Sequence, residues 1–114
     1  MIYTLFGIPN CDTVKKARAF LEKSKVQVEF VDFKKKPPTK AEISRWEKVF
    51  GDLPVNKSGL TYKKHKEAYE ALSPSAKVDF LCAHSSMIKR PVLEKNGKVL
   101  AFGFKEDDYK AVLK

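Results

Sequence analysis

Two stretches of opposite periodicity meet at Gly7-Ile8-Pro9-Asn10-Cys11-Asp12. Before it, residues 2–6 (Ile-Tyr-Thr-Leu-Phe) form a short run of strand length, almost wholly apolar. After it, from Thr13 onward, Val14, Ala17, Phe20 and Leu21 fall on one side of a helical period. Lys15, Lys16, Arg18, Glu22 and Lys23 fall elsewhere. Residues 26–33 then alternate Val26, Val28 and Phe30 against Gln27 and Glu29, which predicts a second strand. A strand, a helix and a strand within about 30 residues make a βαβ unit, whose strands run parallel through a right-handed crossover.

The rest of the chain extends this unit. Residues 34–38 read as a linker, and Thr39-Lys40-Ala41-Glu42 has the form of a capping box. The helix that follows carries Ile43, Trp46 and Phe50 on one face and stops at Gly51. Residues 52–61 are irregular, and 62–72 predict a short polar helix. Ser73-Pro74 starts another, with Val78, Leu81 and Cys82 as its apolar stripe. Residues 92–94 and 99–102 flank Asn96-Gly97, a hairpin signal. Residues 105–113 form a last helix, with Glu106, Asp107 and Asp108 in its first turn. The order is β-α-β, a helical insertion at about 37–87, then β-β-α. That is a thioredoxin-like α/β fold with a four-stranded mixed sheet, in one domain spanning 1–114.

Composition narrows the function classes. A chain of 114 residues suits one core. No apolar run approaches the ~20 residues needed to cross a bilayer, and no export signal opens the sequence. Two cysteines make no disulfide framework, so a reducing, cytoplasmic setting is expected. The net charge of +9 comes almost wholly from lysine, the arginines being Arg18, Arg45 and Arg90. Neither arginine forks for base edges nor aromatics interleaved with basic residues occur, so the reading is a solvated lysine surface, with weak anion binding as the alternative and nucleic acid not expected. A monomer is expected.

Cys11 stands at the carboxyl end of the first parallel strand and just before a helix N-terminus, where α/β folds place ligands. Free N–H groups and the positive end of the helix dipole stabilise a thiolate there. The Thr13 hydroxyl can add a hydrogen bond, Lys15 and Lys16 add positive potential, and Pro9 and Asn10 suit the tight approach. The alternative is a buried cysteine acting as a small hydrophobe, but its polar, turn-forming flanks favour a reactive thiol. Cys82, on an apolar stripe, reads as core filling, with a resolving thiol as the other possibility. His65 and His84 have no partner at metal-ligand spacing, so no metal is expected.

Ile88-Lys89-Arg90-Pro91 is the second informative stretch. In a thioredoxin-like fold, the residue before a cis-proline at the start of the third strand faces the redox cysteine, and Arg90-Pro91 falls there. An arginine at that place can pair with a thiolate or hold an anion by its planar fork. The other reading is a trans-proline strand start with a surface arginine.

Together these residues resemble the arsenate-reductase-like (ArsC) family of thioredoxin-fold proteins, which includes the Spx regulators, and within it the YffB-type branch. The carrying motifs are Gly7-Ile8-Pro9-Asn10-Cys11-Asp12-Thr13-Val14-Lys15-Lys16-Ala17, Ile88-Lys89-Arg90-Pro91, and the stretch from Asn96-Gly97-Lys98 to Gly103-Phe104. The resemblance implies that Cys11 is the redox nucleophile and that Arg90 helps form its anion pocket.

This chain also departs from the pattern. Arsenate-reducing members carry a histidine where this chain has Gly7 and a serine where it has Val14. They have an arginine in the segment matched by residues 56–60, which here offers Lys57 and Ser58 as possible substrate-binding residues beside Pro91, and another near Gly103-Phe104. Spx regulators carry Cys-x-x-Cys, and Val14 takes the place of the second cysteine. The expectation is a thiol-dependent reductase acting on an oxidised thiol or small oxyanion, with weak or no arsenate reduction. Glutathione or a glutaredoxin would be its external thiol, with no tightly bound cofactor. The alternative is an Spx-like regulatory module that docks on RNA polymerase or another protein.

Overall fold

The computed structural model describes residues 2–113 as β1 (Tyr3–Gly7), α1 (Asp12–Lys23), β2 (Val28–Asp32), α2 (Lys40–Phe50), α3 (Leu60–Glu70), α4 (Pro74–Ala83), a 3-10 turn (Ser85–Met87), β3 (Val92–Lys95), β4 (Lys98–Phe102) and α5 (Glu106–Val112). The chain divides into two units, Met1–Lys36 with Arg90–Lys114, and Pro37–Lys89.

The first unit holds a four-stranded sheet in the order β2-β1-β3-β4. β1 runs parallel to β2 in the register Tyr3↔Val28 to Gly7↔Asp32, and antiparallel to β3. β3 and β4 form a hairpin with a register shift between Leu93 and Glu94. Asn96 (φ 54°) and Gly97 (φ 78°) occupy its turn, the pair of left-handed conformations that a type I′ turn demands. β2 is shorter than the alternation of residues 26–33 suggests, because β1 offers it only five partners. Hydrogen bonds from Tyr3 N–H to Gln27 O and from Phe33 N–H to Gly7 O close the ladder at either end.

Tyr3, Leu5, Ala17, Leu21, Leu93 and Tyr109 form the unit's core, so α1 and α5 cover one face of the sheet. Burying a leucine such as Leu5, Leu21 or Leu93 contributes about 1.5–3 kcal/mol each relative to leaving it in water. The rings of Phe20, Phe104 and Tyr109 meet edge-on or tilted beside this core. The Tyr109 hydroxyl donates to the Gly103 carbonyl at 3.1 Å and ties α5 to the loop after β4.

In the second unit, Thr39 and Glu42 complete the capping box of α2: the Thr39 N–H donates to Glu42 Oε1 and the Glu42 N–H to Thr39 Oγ1. Gly51 ends α2 in a left-handed conformation (φ 91°). Ile43 and Trp46 are fully buried, whereas Phe50, the last residue of the helix, stays 40% exposed. α3 spans Leu60–Glu70 rather than 62–72, because extended Gly59 already serves as its N-cap. Ser73 caps α4 by accepting from the Ala76 N–H, with Pro74 in the first turn. The stripe of α4 buries only Leu81 among its residues; Cys82 is half-buried and not core filling. An isolated antiparallel bridge pairs Val55, in the segment between α2 and α3, with Ile88, just after the 3-10 turn.

Candidate active site

Cys11 owes its position to a turn. β1 stops at Gly7, and residues 8–11 reverse the chain with a hydrogen bond from the Cys11 N–H to the Ile8 carbonyl at 3.1 Å. Proline at the second place of such a turn and asparagine at the third are the residue types it favours. Cys11 is then the extended N-cap of α1 (φ −83°, ψ 126°), and its carbonyl accepts from the Lys15 N–H at 2.9 Å. A side chain at an N-cap lies beside the N–H groups of the second and third helical residues, here Thr13 and Val14.

The thiol is half-buried and lies between opposing influences. Burial pushes its pKa up. The Val14 N–H, the Arg90 charge, a hydrogen bond from Arg90 and the Thr13 N–H act against burial, and the net effect holds Cys11 below its ordinary value. The sulfur makes no full capping hydrogen bond, yet these main-chain N–H groups favour its anionic form. Thr13 therefore contributes through its backbone, where the sequence suggested its hydroxyl. Asn10 and Lys15 are exposed, in the turn and on α1.

Arg90 precedes β3 through a cis bond to Pro91, and its Nη2 lies 3.8 Å from Cys11 Sγ. Pro91 is buried, and its carbonyl accepts from the Gly103 N–H at 2.8 Å. Residues 79 positions apart in sequence are thus neighbours. Lys57 and Ser58 belong to the second unit. There the Ser58 hydroxyl donates to Asn56 Oδ1 at 2.9 Å, and the exposed Lys57 lowers the Glu70 pKa, behind larger contributions from Tyr62 and Lys77.

Sequence reasoning missed the role of Val14. Its N–H is the leading stabiliser of the thiolate, and its side chain, fully buried, fills the space beside Gly7. A Cβ placed on Gly7 would stand 2.8 Å from Val14 Cγ2. The departures at positions 7 and 14 are one packing solution: with Val14 in place, position 7 has no room for a side chain. Cys82 is half-buried like Cys11 but shifts the other way, since burial and the Asp79 carboxylate raise its pKa, with Lys40 in partial opposition. His65 and His84, far apart in sequence, bring their ring centres to 4.9 Å beside Phe80. No group of three or more metal-ligating side chains occurs among the described residues.

Residues 6–112 match the model of the ArsC family. A solved YffB protein is 38% identical, covering 98% of this chain and 99% of its own, with a TM-score of 0.84. An arsenate reductase (ArsC) related protein from Brucella melitensis is 35% identical over 100% of this chain and 96% of that one, with a TM-score of 0.72. The global transcriptional regulator Spx of Streptococcus pneumoniae is 30% identical over 114 residues, 96% of this chain and 84% of Spx. A strand-to-helix thiol, an arginine before the cis-proline that leads into β3 and this likeness along the whole chain lead to one conclusion: the protein belongs to the ArsC family and has its arsenate-reductase-like, thioredoxin-type fold.

Proposed function

We propose that the protein is a thiol-dependent reductase with Cys11 as its nucleophile and glutathione, directly or through a glutaredoxin, as its external thiol. The observation that carries this reading is the contact of Arg90 with a thiol already favoured as an anion by the Val14 and Thr13 N–H groups. The Cys11 thiolate attacks one sulfur of a disulfide. A bond forms to Cys11, the substrate S–S bond breaks, and the departing thiolate takes a proton from water. A glutathione thiolate then attacks the Cys11 sulfur, releases the second substrate thiol and leaves Cys11 glutathionylated. A second glutathione removes that group as glutathione disulfide. Arg90 stabilises the Cys11 thiolate by charge and hydrogen bond as it attacks the disulfide and as it leaves in the last step. An external thiol suits a nucleophile with no second cysteine two or three residues away.

Arsenate is a poor fit for the same site. A tetrahedral dianion is held best by several converging guanidinium forks. The chain has three arginines; Arg90 lies beside the thiol, and Arg18 stacks over the Phe30 ring. Each missing preorganised cation costs about 2–4 kcal/mol of transition-state stabilisation. A second reading, a regulatory module that binds another protein, draws on the 30% identity to Spx.

Turnover of a small disulfide by glutathione, coupled to NADPH oxidation through glutathione reductase, separates the two. Turnover lost in Cys11→Ser, with glutathionylated Cys11 captured by mass spectrometry, is expected, as is negligible arsenate turnover. No disulfide turnover together with an unperturbed Cys11 titration would favour the regulatory module.

A further inference from the structure

β2 is an edge strand, and its free side can be worked out from the ladder. Gln27 offers its carbonyl to β1 and Phe33 its N–H, so odd-numbered residues direct their main-chain groups inward. Residues of a strand alternate, so Val28, Phe30 and Asp32 direct theirs outward, away from the sheet. The Asp32 carbonyl is taken by the Lys35 and Lys36 N–H groups. Among the described residues, the N–H and C=O groups of Val28 and Phe30 and the N–H of Asp32 form the free edge.

A cleft of about 420 Å³ lies at this edge, lined by Arg18, Lys35 and Lys36, by Glu29 and Asp32, and by Pro9, Phe30 and Val31. The Arg18 guanidinium lies 4.2 Å above the centre of the Phe30 ring, where it presents charge on an apolar support. Arg18, Lys35 and Lys36 are exposed. The Asp32 carboxylate accepts from the Lys34 N–H at 2.9 Å, and the three cations of the cleft outnumber its two carboxylates, Glu29 and Asp32. Phe30 and Asp32 share the face that carries α1, whereas Glu29 points to the other face.

We propose that this edge binds an extended acidic segment of a partner protein, which adds a strand beside β2. Main-chain pairing to Val28, Phe30 and Asp32 supplies the backbone of the interaction. Acidic side chains at every second position, on the α1 face, meet Arg18, Lys35 and Lys36. The intervening positions lie beside Glu29 and are neutral. Pro9 joins the cleft to the turn that carries Cys11. The surface is independent of thiol chemistry, so the inference stands or falls apart from the proposed reductase activity.

Fluorescence anisotropy tests it with a labelled, cysteine-free octapeptide that alternates Glu with Thr or Val. Arg18→Glu combined with Lys35→Glu should weaken binding about tenfold or more, as expected when two exposed attractions become repulsions. Both residues are exposed, and circular dichroism verifies that the variant keeps its fold; Lys36→Glu serves as a second variant. A peptide with lysine in place of glutamate, or one N-methylated at alternate positions, should not bind. The amide resonances of Val28, Phe30 and Asp32 should shift on titration. Equal binding of the lysine peptide, unchanged affinity in the charge-reversed proteins, or occupation of the edge by a second copy of the chain in sedimentation equilibrium would overturn the proposal.

Discussion

Gly7→Ala adds one methyl group to a strand whose backbone tolerates alanine, so its effect isolates the contact with Val14. The new Cβ would lie 2.8 Å from Val14 Cγ2 and 3.3 Å from Cγ1, against the 3.5–4.0 Å at which carbons attract. Val14 cannot yield easily. It is fully buried, its branched side chain is stiff in a helix, and α1 is anchored by buried Ala17 and Leu21. Overpacking of this kind costs about 1–3 kcal/mol, while replacing glycine recovers about 0.4–1 kcal/mol through the unfolded chain, so destabilisation wins. With an m value of about 1–3 kcal/mol/M, the urea midpoint should fall by roughly half to one molar unit. Displacing Val14 also moves the N–H that supports the thiolate, so the Cys11 pKa should rise, which thiolate absorbance against pH reports. Val14→Ala removes the obstacle, and the double variant should be less destabilised than the sum of the single ones by about 0.5–3 kcal/mol. An unchanged midpoint for Gly7→Ala, or a strictly additive double variant, would refute the argument.

Arg90→Ala should raise the Cys11 pKa in the same titration, since it removes both the charge and the hydrogen bond beside the sulfur. The folded thiol titrates below its unfolded value, so its contribution to stability is present above the unfolded pKa and is lost as pH falls through the folded one. Urea midpoints of the wild type should therefore climb across that window, and Arg90→Ala should climb less. Iodoacetamide near neutral pH, followed by peptide mapping, should modify Cys11 well before Cys82, whose pKa is raised by burial and Asp79. Tyr109→Phe should cost about 0.5–1.5 kcal/mol in urea unfolding, because the Gly103 carbonyl loses its donor at a buried site.

The elements legible in the sequence are those governed by neighbours within about one helical turn or one hairpin. The Thr39–Glu42 box, the Ser73-Pro74 start, the Asn96-Gly97 turn and the strand-to-helix junction at Cys11 all use side chains that act on main chain a few residues away. For that reason a thiol at the start of α1 could be read directly from Pro9-Asn10-Cys11-Asp12-Thr13. What lay beyond local rules came from partners remote in sequence. The five-residue length of β2 is imposed by β1. Periodicity could identify Val14 as a core residue but not as the neighbour that leaves Gly7 no room for a side chain. The guanidinium of Arg90 reaches the Cys11 sulfur because β3 lies antiparallel beside β1 and brings its first residues to the end of β1 where the thiol stands. Helical and strand periods carry no information about which strands pair, and strand pairing decided where the charge would meet the thiol.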